Sequence, residues 1–288
     1  MNLSTSLPTD LPWNEQQAFL LLDGATLNDL PQRLKSLSPG ANTLALYDCP
    51  SFTALRDISP LLVSVQQPDE SLVRFYLEHA HEEWGVLMFS PDSAHPVAQH
   101  LRKLLTVELP QGTSAFLRLA DAATARILFG SGDQRLFGPL SCLVTADGVA
   151  ADWQLHQPRL AECPELPTPY RLSLEQNAAL DQVDRRRVLL ELDAHLRRFF
   201  PERPVAETVA QRWPMLEQLE AEASALGLSS PSELFYYANL MAWLDGSSPD
   251  PHSHLHRLLH TPSLQPIGER IALAADMAHQ WASERGRP

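Results

Sequence analysis

Between Gln157 and Tyr170 the chain places Pro158, Pro164, Pro167 and Pro169, and this cluster limits the possible folds more than any other stretch. Proline removes a backbone donor and restricts the residue before it, so neither a helix nor a central strand survives there. The hydrophobic pattern also changes across the cluster. Before it, short apolar runs alternate with amphipathic stretches. The runs are FLLLD (residues 19–23), TLALYD (43–48), LLVSV (61–65), WGVLMFS (84–90), AFLRL (115–119) and LSCLVTAD (140–147). The stretches between them include LPQRLKSL, ESLVRFYLEHAHEE, HPVAQHLRKLLTV and DAATARILFG. Strands alternating with helices imply an α/β lobe whose sheet is mainly parallel or mixed, with flanking helices. The expected division is an α/β lobe over 15–156, a proline-rich linker over 157–170 and an all-α helical lobe over 171–286.

Beyond the prolines apolar residues fall on helical spacing: Leu189, Leu192, Leu196 and Phe199, then Leu216, Leu219, Ala223 and Leu226, with Gly227 placed as a C′ stop. Pro214 marks a helix start or a kink. Ser230 before Pro231 reads as an N-cap with proline at the first helical position. The run LFYYANLMAWL, Leu234 to Leu244, is apolar nearly all round, so its helix is buried on most sides or meets a partner with its exposed face.

Composition excludes several classes. With 44% hydrophobic and 20% charged residues over 288 positions, the chain has ample core for one large or two smaller domains. A formal net charge of −13 argues against nucleic acid and against anionic lipid, both of which need a basic face. No apolar run approaches the roughly 20 residues that cross a bilayer, and the start lacks the basic and apolar regions of a signal peptide. The expectation is a cytoplasmic protein without membrane insertion. Cys49, Cys142 and Cys163 are odd in number and far apart, as suits reduced thiols rather than a disulfide framework or a zinc site.

Asp23 is the first candidate for chemistry, because an apolar run that ends in Asp-Gly can deliver a carboxylate to a sheet edge. In phosphatases of the haloacid-dehalogenase type the first strand ends in Asp-x-Asp-Gly-Thr, and the first Asp is the nucleophile. Here that position is Leu21, so Asp23 matches only the acid/base. The plainer reading is a turn, with the carboxylate accepting nearby backbone N–H groups. His252, His254, His256 and His260 include a pair one helical turn apart, yet no Glu follows His256 to complete a His-Glu-x-x-His motif. An ordinary amphipathic turn suits them, and no metal or cofactor is expected. Arg185, Arg186 and Arg187 form a basic cluster, with Asp181–Arg185 and Asp193–Arg197 spaced as i,i+4 pairs on a solvated face. The local signatures of nucleophile elbow, phosphate loop, dinucleotide fingerprint and paired Cys-x-x-Cys are all missing.

Read together, the segments Leu22-Asp23-Gly24-Ala25, Leu46-Tyr47, Asp57-Ile58-Ser59-Pro60-Leu61-Leu62, Trp84-Gly85, His100-Leu101-Arg102, Leu117-Arg118 and Phe137-Gly138-Pro139 resemble, in order and spacing, the type VI secretion adaptor family known as Tap or TEC chaperones. The resemblance covers about residues 18–140. The family's Arg-Phe-Tyr-Asp-Pro-Arg is here Arg118-Leu119-Ala120-Asp121-Ala122-Ala123; Arg118 and Asp121 match, whereas the Tyr, Pro and second Arg do not. The resemblance implies a cytoplasmic, non-enzymatic adaptor that holds a toxic effector and helps load it onto the VgrG spike protein. It also implies a structural role for Asp23, Gly24, Asp57, Pro60, Trp84, Gly85, Arg102, Arg118, Asp121, Gly138 and Pro139. Trp213, Tyr236, Tyr237 and Trp243 are candidate partner contacts, because buried aromatics dominate interface energies, and they suit a helical core equally. The alternative function is an α/β hydrolase or phosphatase that uses Asp23, Asp57 or Asp121.

Overall fold

A computed structural model describes residues 7–27, 29–202, 206–244 and 254–284. The chain divides into two compact units, Met1–Val183 and Asp184–Pro288.

The first unit is built on strands β1 (Gln17–Leu22), β2 (Thr43–Ala45), β3 (Leu61–Val65), β4 (Gly85–Ser90), β7 (Cys142–Asp147) and β8 (Asp152–His156), in the order β2-β3-β1-β4-β7-β8. Its helices are α1 (Leu30–Leu37), α2 (Ser71–His79), α3 (Ala94–Lys103) and α4 (Ala122–Gly130). A smaller sheet joins β6 (Ser114–Phe116), β5 (Thr106–Glu108) and β9 (Tyr170–Arg171).

Successive side chains of a strand point to opposite faces, and here both faces are covered. On one face Phe19, Leu21, Leu62, Val86, Met88 and Leu143 pack with Val97 and Leu101 of α3 and Leu128 of α4. On the other, Leu20, Leu22, Val63, Leu87, Phe89 and Val144 pack with Leu30 and Leu34 of α1 and Leu72, Val73 and Tyr76 of α2. Each such residue contributes about 1.5–3 kcal/mol by leaving water. The result is the expected sheet with flanking helices.

Strand direction is the new information. Every pairing of the six-stranded sheet is antiparallel, and the one parallel pairing among the described residues, Val107↔Tyr170 and Glu108↔Arg171, lies in the small sheet. The mainly parallel option is thereby set aside. Continuous apolar runs signal a strand buried on both faces, which is usual for parallel sheets but arises here in an antiparallel one. The crossover from β3 through α2 to β4 does join two strands of the same direction. However, β1 lies between them and pairs antiparallel with both: Leu20 faces Val63 on one side and Leu87 on the other.

The proline-rich residues form no helix. Leu166 is buried in the same core as Tyr170 and Leu172, so this stretch packs on the first unit. The division between units falls later, inside α5 (Leu174–Phe199).

In the second unit the described residues form the rest of α5, then α6 (Val209–Ala225), α7 (Pro231–Trp243), α8 (His254–His260) and α9 (Ile267–Glu284). Local chemistry sets the ends. Thr208 and Ser230 each accept the N3 amide, and Gln211 and Glu233 return the bond to complete capping boxes. Gly227, at φ +85°, closes α6: its N–H bonds Ser224 O and the Leu228 N–H bonds Ala223 O. Pro214 lies inside α6 rather than at its start. The core is Leu189, Leu192, Leu216, Tyr237, Leu240 and Ile271, with the alanines of α9.

Candidate functional site

The motif string converges on one end of the large sheet, where β1 ends and β3 and β4 begin. Asp23 follows Leu22 directly and is buried. Its N–H donates to Trp84 O (2.9 Å), and its carboxylate accepts from the Ala25 N–H (2.9 Å), the Thr26 hydroxyl (3.0 Å) and the Arg118 guanidinium. Arg118 also reaches the Thr26 hydroxyl at 3.0 Å. A carboxylate held by three donors in this way is a turn lock.

Gly24 is required by space rather than by dihedral freedom, since a Cβ there would stand 2.3 Å from the Ser59 carbonyl oxygen. Gly85 meets a similar limit, with Leu22 and the Tyr76 ring each 3.0 Å from a built Cβ. The Ser59 hydroxyl accepts the Tyr47 N–H and donates to buried Pro60 O, both at 3.0 Å. Burial, with Asp23 nearby, pushes the Tyr47 phenol up to about 12. Arg102 ties down the neighbouring strand end through Leu46 O (3.0 Å) and Ala45 O (2.8 Å).

Asp121 caps α4 by accepting the Thr124 N–H at 2.8 Å. The departures from the family motif at Leu119, Ala120, Ala122 and Ala123 are all buried, so they change packing and not an outer face. Two motif regions stand apart. Asp57 is exposed on the 3-10 turn Pro50–Ile58. Gly138 and Pro139 lie at the other end of β4, where Ser90 donates to Pro139 O (2.7 Å). Gly138, at φ +51°, leaves room for the His100 ring, which a Cβ would meet at 2.4 Å.

Sequence reasoning missed an open groove of about 910 Å³ in the first unit, lined by Arg126, Arg135, His156, Tyr170, Arg171 and Gln176 among others. Its polar groups are largely committed to one another. Arg135 forks onto Asp133, Tyr170 donates to Asp133 at 2.8 Å, and Gln176 donates to Tyr170 at 2.9 Å. Burial alone would raise the Asp133 carboxyl, but these bonds outweigh it and hold the group below its usual range. Burial and the Arg126 charge push His156 down. No local signal marks the groove, because its walls come from several separate segments.

The four aromatic candidates in the helical unit separate. Tyr237 is core, its hydroxyl donating to Glu222 at 2.8 Å. Trp213 and Trp243 are partly buried against that core. The Arg186 guanidinium lies 5.6 Å over the Trp213 ring, and Trp243 meets Phe200 edge-on at 4.9 Å. Tyr236 is 42% exposed. The expected i,i+4 ion pairs give way to bonds between helices: Arg185 forks onto Glu220, and Asp193 binds Arg212 at 2.5 and 2.7 Å with both side chains buried. His256 and His260 stack at 4.3 Å on α8, while His252 lies outside the described residues.

Residues 18–135 match the family described as "Domain of unknown function (DUF4123)". The chain is also 29% identical over 275 residues to the accessory protein VasW of Vibrio cholerae serotype O1 (strain ATCC 39315 / El Tor Inaba N16961), an alignment covering 92% of this chain and 89% of that protein. No solved structure matches. The sheet end locked by Asp23, Gly24 and Arg118 thus lies within the stretch that matches this domain of unknown function.

Proposed function

We propose that this chain is a non-enzymatic adaptor of type VI secretion, which holds an effector in the cytoplasm and helps load it onto the VgrG spike protein. An accessory role in type VI secretion rests on the DUF4123 domain and on the likeness to VasW along nearly the whole chain. The observation that carries the adaptor reading over the hydrolase reading is the state of Asp23. Its carboxylate is buried and engaged by three donors, which leaves it placed to fix a turn rather than to meet a substrate. Asp121 is used as a helix cap and Asp57 stands on an exposed turn. Among the described residues no group of three or more His, Cys, Asp and Glu side chains is arranged to hold a metal ion, and no helix is long and apolar enough to cross a membrane.

The reading assigns a different task to each unit. The DUF4123 unit is a scaffold with both sheet faces covered, and the helical unit carries the surface that meets cargo. The test is co-expression with the candidate effector encoded beside the chain and with the neighbouring VgrG, followed by size exclusion with light scattering. A complex of defined mass with the effector supports the adaptor. Elution alone with both, together with turnover of a generic phosphate ester that Asp23→Ala abolishes, would support the hydrolase instead.

A further inference from the structure

Helix α9 buries Ile271, Ala274, Ala275, Ala278 and Ala282, and these small residues seat it closely on the core of the helical unit. A second apolar row lies beside them. Leu273, Met277 and Trp281 follow one another at i, i+4 and i+8, which aligns them along one side of the helix over about 12 Å. Leu273 is 44% exposed, Trp281 is 39% exposed and Met277 is partly buried. Side chains of this size need a reason to remain in water in such a row.

Charge identifies what would cover them. At 100° per residue, Asp276 and Glu284 fall along the solvent side of the same row, and Glu269, one turn before Leu273, continues it. Among the described residues none of the three makes an ion pair. The one Lys or Arg within α9, Arg270, is turned away to Leu258 O and Thr261 O, each at 2.9 Å. Among the described residues the face is therefore an apolar ridge edged by carboxylates that make no ion pair. A second copy of this chain is a poor occupant, because antiparallel pairing of two α9 helices would set Asp276 near Asp276 and Glu269 near Glu284. An extended strand is also a poor occupant, since a helix face offers no backbone groups to satisfy it.

From this arrangement we propose that the Leu273–Met277–Trp281 face docks a basic amphipathic helix of the bound effector, with aliphatic or aromatic anchors on the ridge and Lys or Arg against Glu269, Asp276 and Glu284. The inference rests on the adaptor reading and adds the binding surface and the chemistry of its partner. Helix-in-groove recognition of this kind is read as anchors at helical spacing, with flanking charge setting register.

Two arms test it on the full chain. In the first, fluorescence anisotropy measures an 18-residue Lys/Leu amphipathic peptide and its Glu/Leu counterpart. The Lys peptide is expected to bind at least tenfold more tightly, to weaken in 0.5 M salt, and to lose at least tenfold in affinity with Trp281→Glu or with Asp276→Lys, a surface change that spares the core. Equal binding of the two peptides, or affinity unchanged in both variants, overturns the proposal. In the second arm the candidate effector is co-expressed with wild type and with Leu273→Glu, with thermal melts confirming that the variant is folded. Loss of the complex in the folded variant supports the proposal. A complex retained by the variant overturns the α9 site while leaving the adaptor reading intact, and no complex with wild type counts against the adaptor reading itself.

Discussion

The two units solve the burial problem differently. In the first, a sheet is covered on both faces, so strand side chains of either parity end in a core, with Leu20, Leu21 and Leu22 each 0% exposed. Its polar ends are closed by contacts from distant segments, such as Arg118 on Asp23 and Arg102 on the β2 end. In the second, the described helices share one core, fixed by capping boxes and one buried ion pair. Both units leave large apolar side chains exposed: Leu55, Ile58, Phe116, Leu155, Leu160 and Leu174 in the first, and Phe199, Met215, Tyr236, Leu264, Leu273 and Trp281 in the shorter second. The contrast therefore lies in how the two cores are closed, by contacts from distant segments in the first unit and by local caps with a buried ion pair in the second.

The strongest way to break the contrast is Arg212→Ala. It would leave the Asp193 charge buried without its partner, and the expected loss is about 3–5 kcal/mol. Hydrogen exchange followed by mass spectrometry should show the loss in residues 184–284 while 18–135 keep their protection. Uniform loss across both would mean that the units do not unfold independently. Gly24→Ala is the matching lesion in the first unit. The Cβ clash with Ser59 is expected to cost about 1–3 kcal/mol in urea denaturation, with the change confined to the first unit.

A smaller effect depends on pH and is not confined to one unit, since burial and His256 also push His260 of the second unit down. Burial pushes His100 down, opposed in part by its 2.7 Å contact with Leu136 O, and burial with Arg126 pushes His156 down. A histidine held neutral in the fold contributes stability that is complete above its unfolded value of 6.5 and is lost as pH falls below it towards the folded value. The first unit's protection should therefore decline from pH 7 to pH 5, and His100→Gln should flatten that decline. A decline that His100→Gln leaves unaltered would contradict the assignment. The smallest changes come from two neighbours on α7. Tyr237→Phe removes the bond to Glu222 and should cost about 1 kcal/mol, whereas Tyr236→Phe should leave the melting temperature within error. Equal costs would mean that Tyr236 is core as well.

Much of this contrast is legible in the residues. FLLLD, LLVSV and WGVLMFS are strands, and LPQRLKSL and DAATARILFG are helices, because burial on known faces dictates their patterns. Ser230-Pro231 and Gly227 mark helix ends through chemistry that acts over a few residues. Strand direction was not legible, since a run buried on both faces looks the same in a parallel and an antiparallel sheet. The strands Thr106–Glu108, Asp152–His156 and Tyr170–Arg171 escaped notice because they are short or half-exposed and carry little apolar pattern.

At the site, the Asp23-Gly24 turn could be read locally. The reason for its glycine could not, because it lies in the approach of Ser59. The Arg212–Asp193 pair, 19 residues apart, has no local signature either. The i,i+4 spacing of Asp193 and Arg197 pointed to a different partner, and tertiary packing decided between them.

The most direct test of the account is hydrogen exchange on the full chain, free and in complex with its candidate effector. The account predicts added protection concentrated in residues 184–284 and strongest along α9, with the sheet core of 18–135 unchanged. Protection confined to the first unit, or no effector complex to measure, would contradict it.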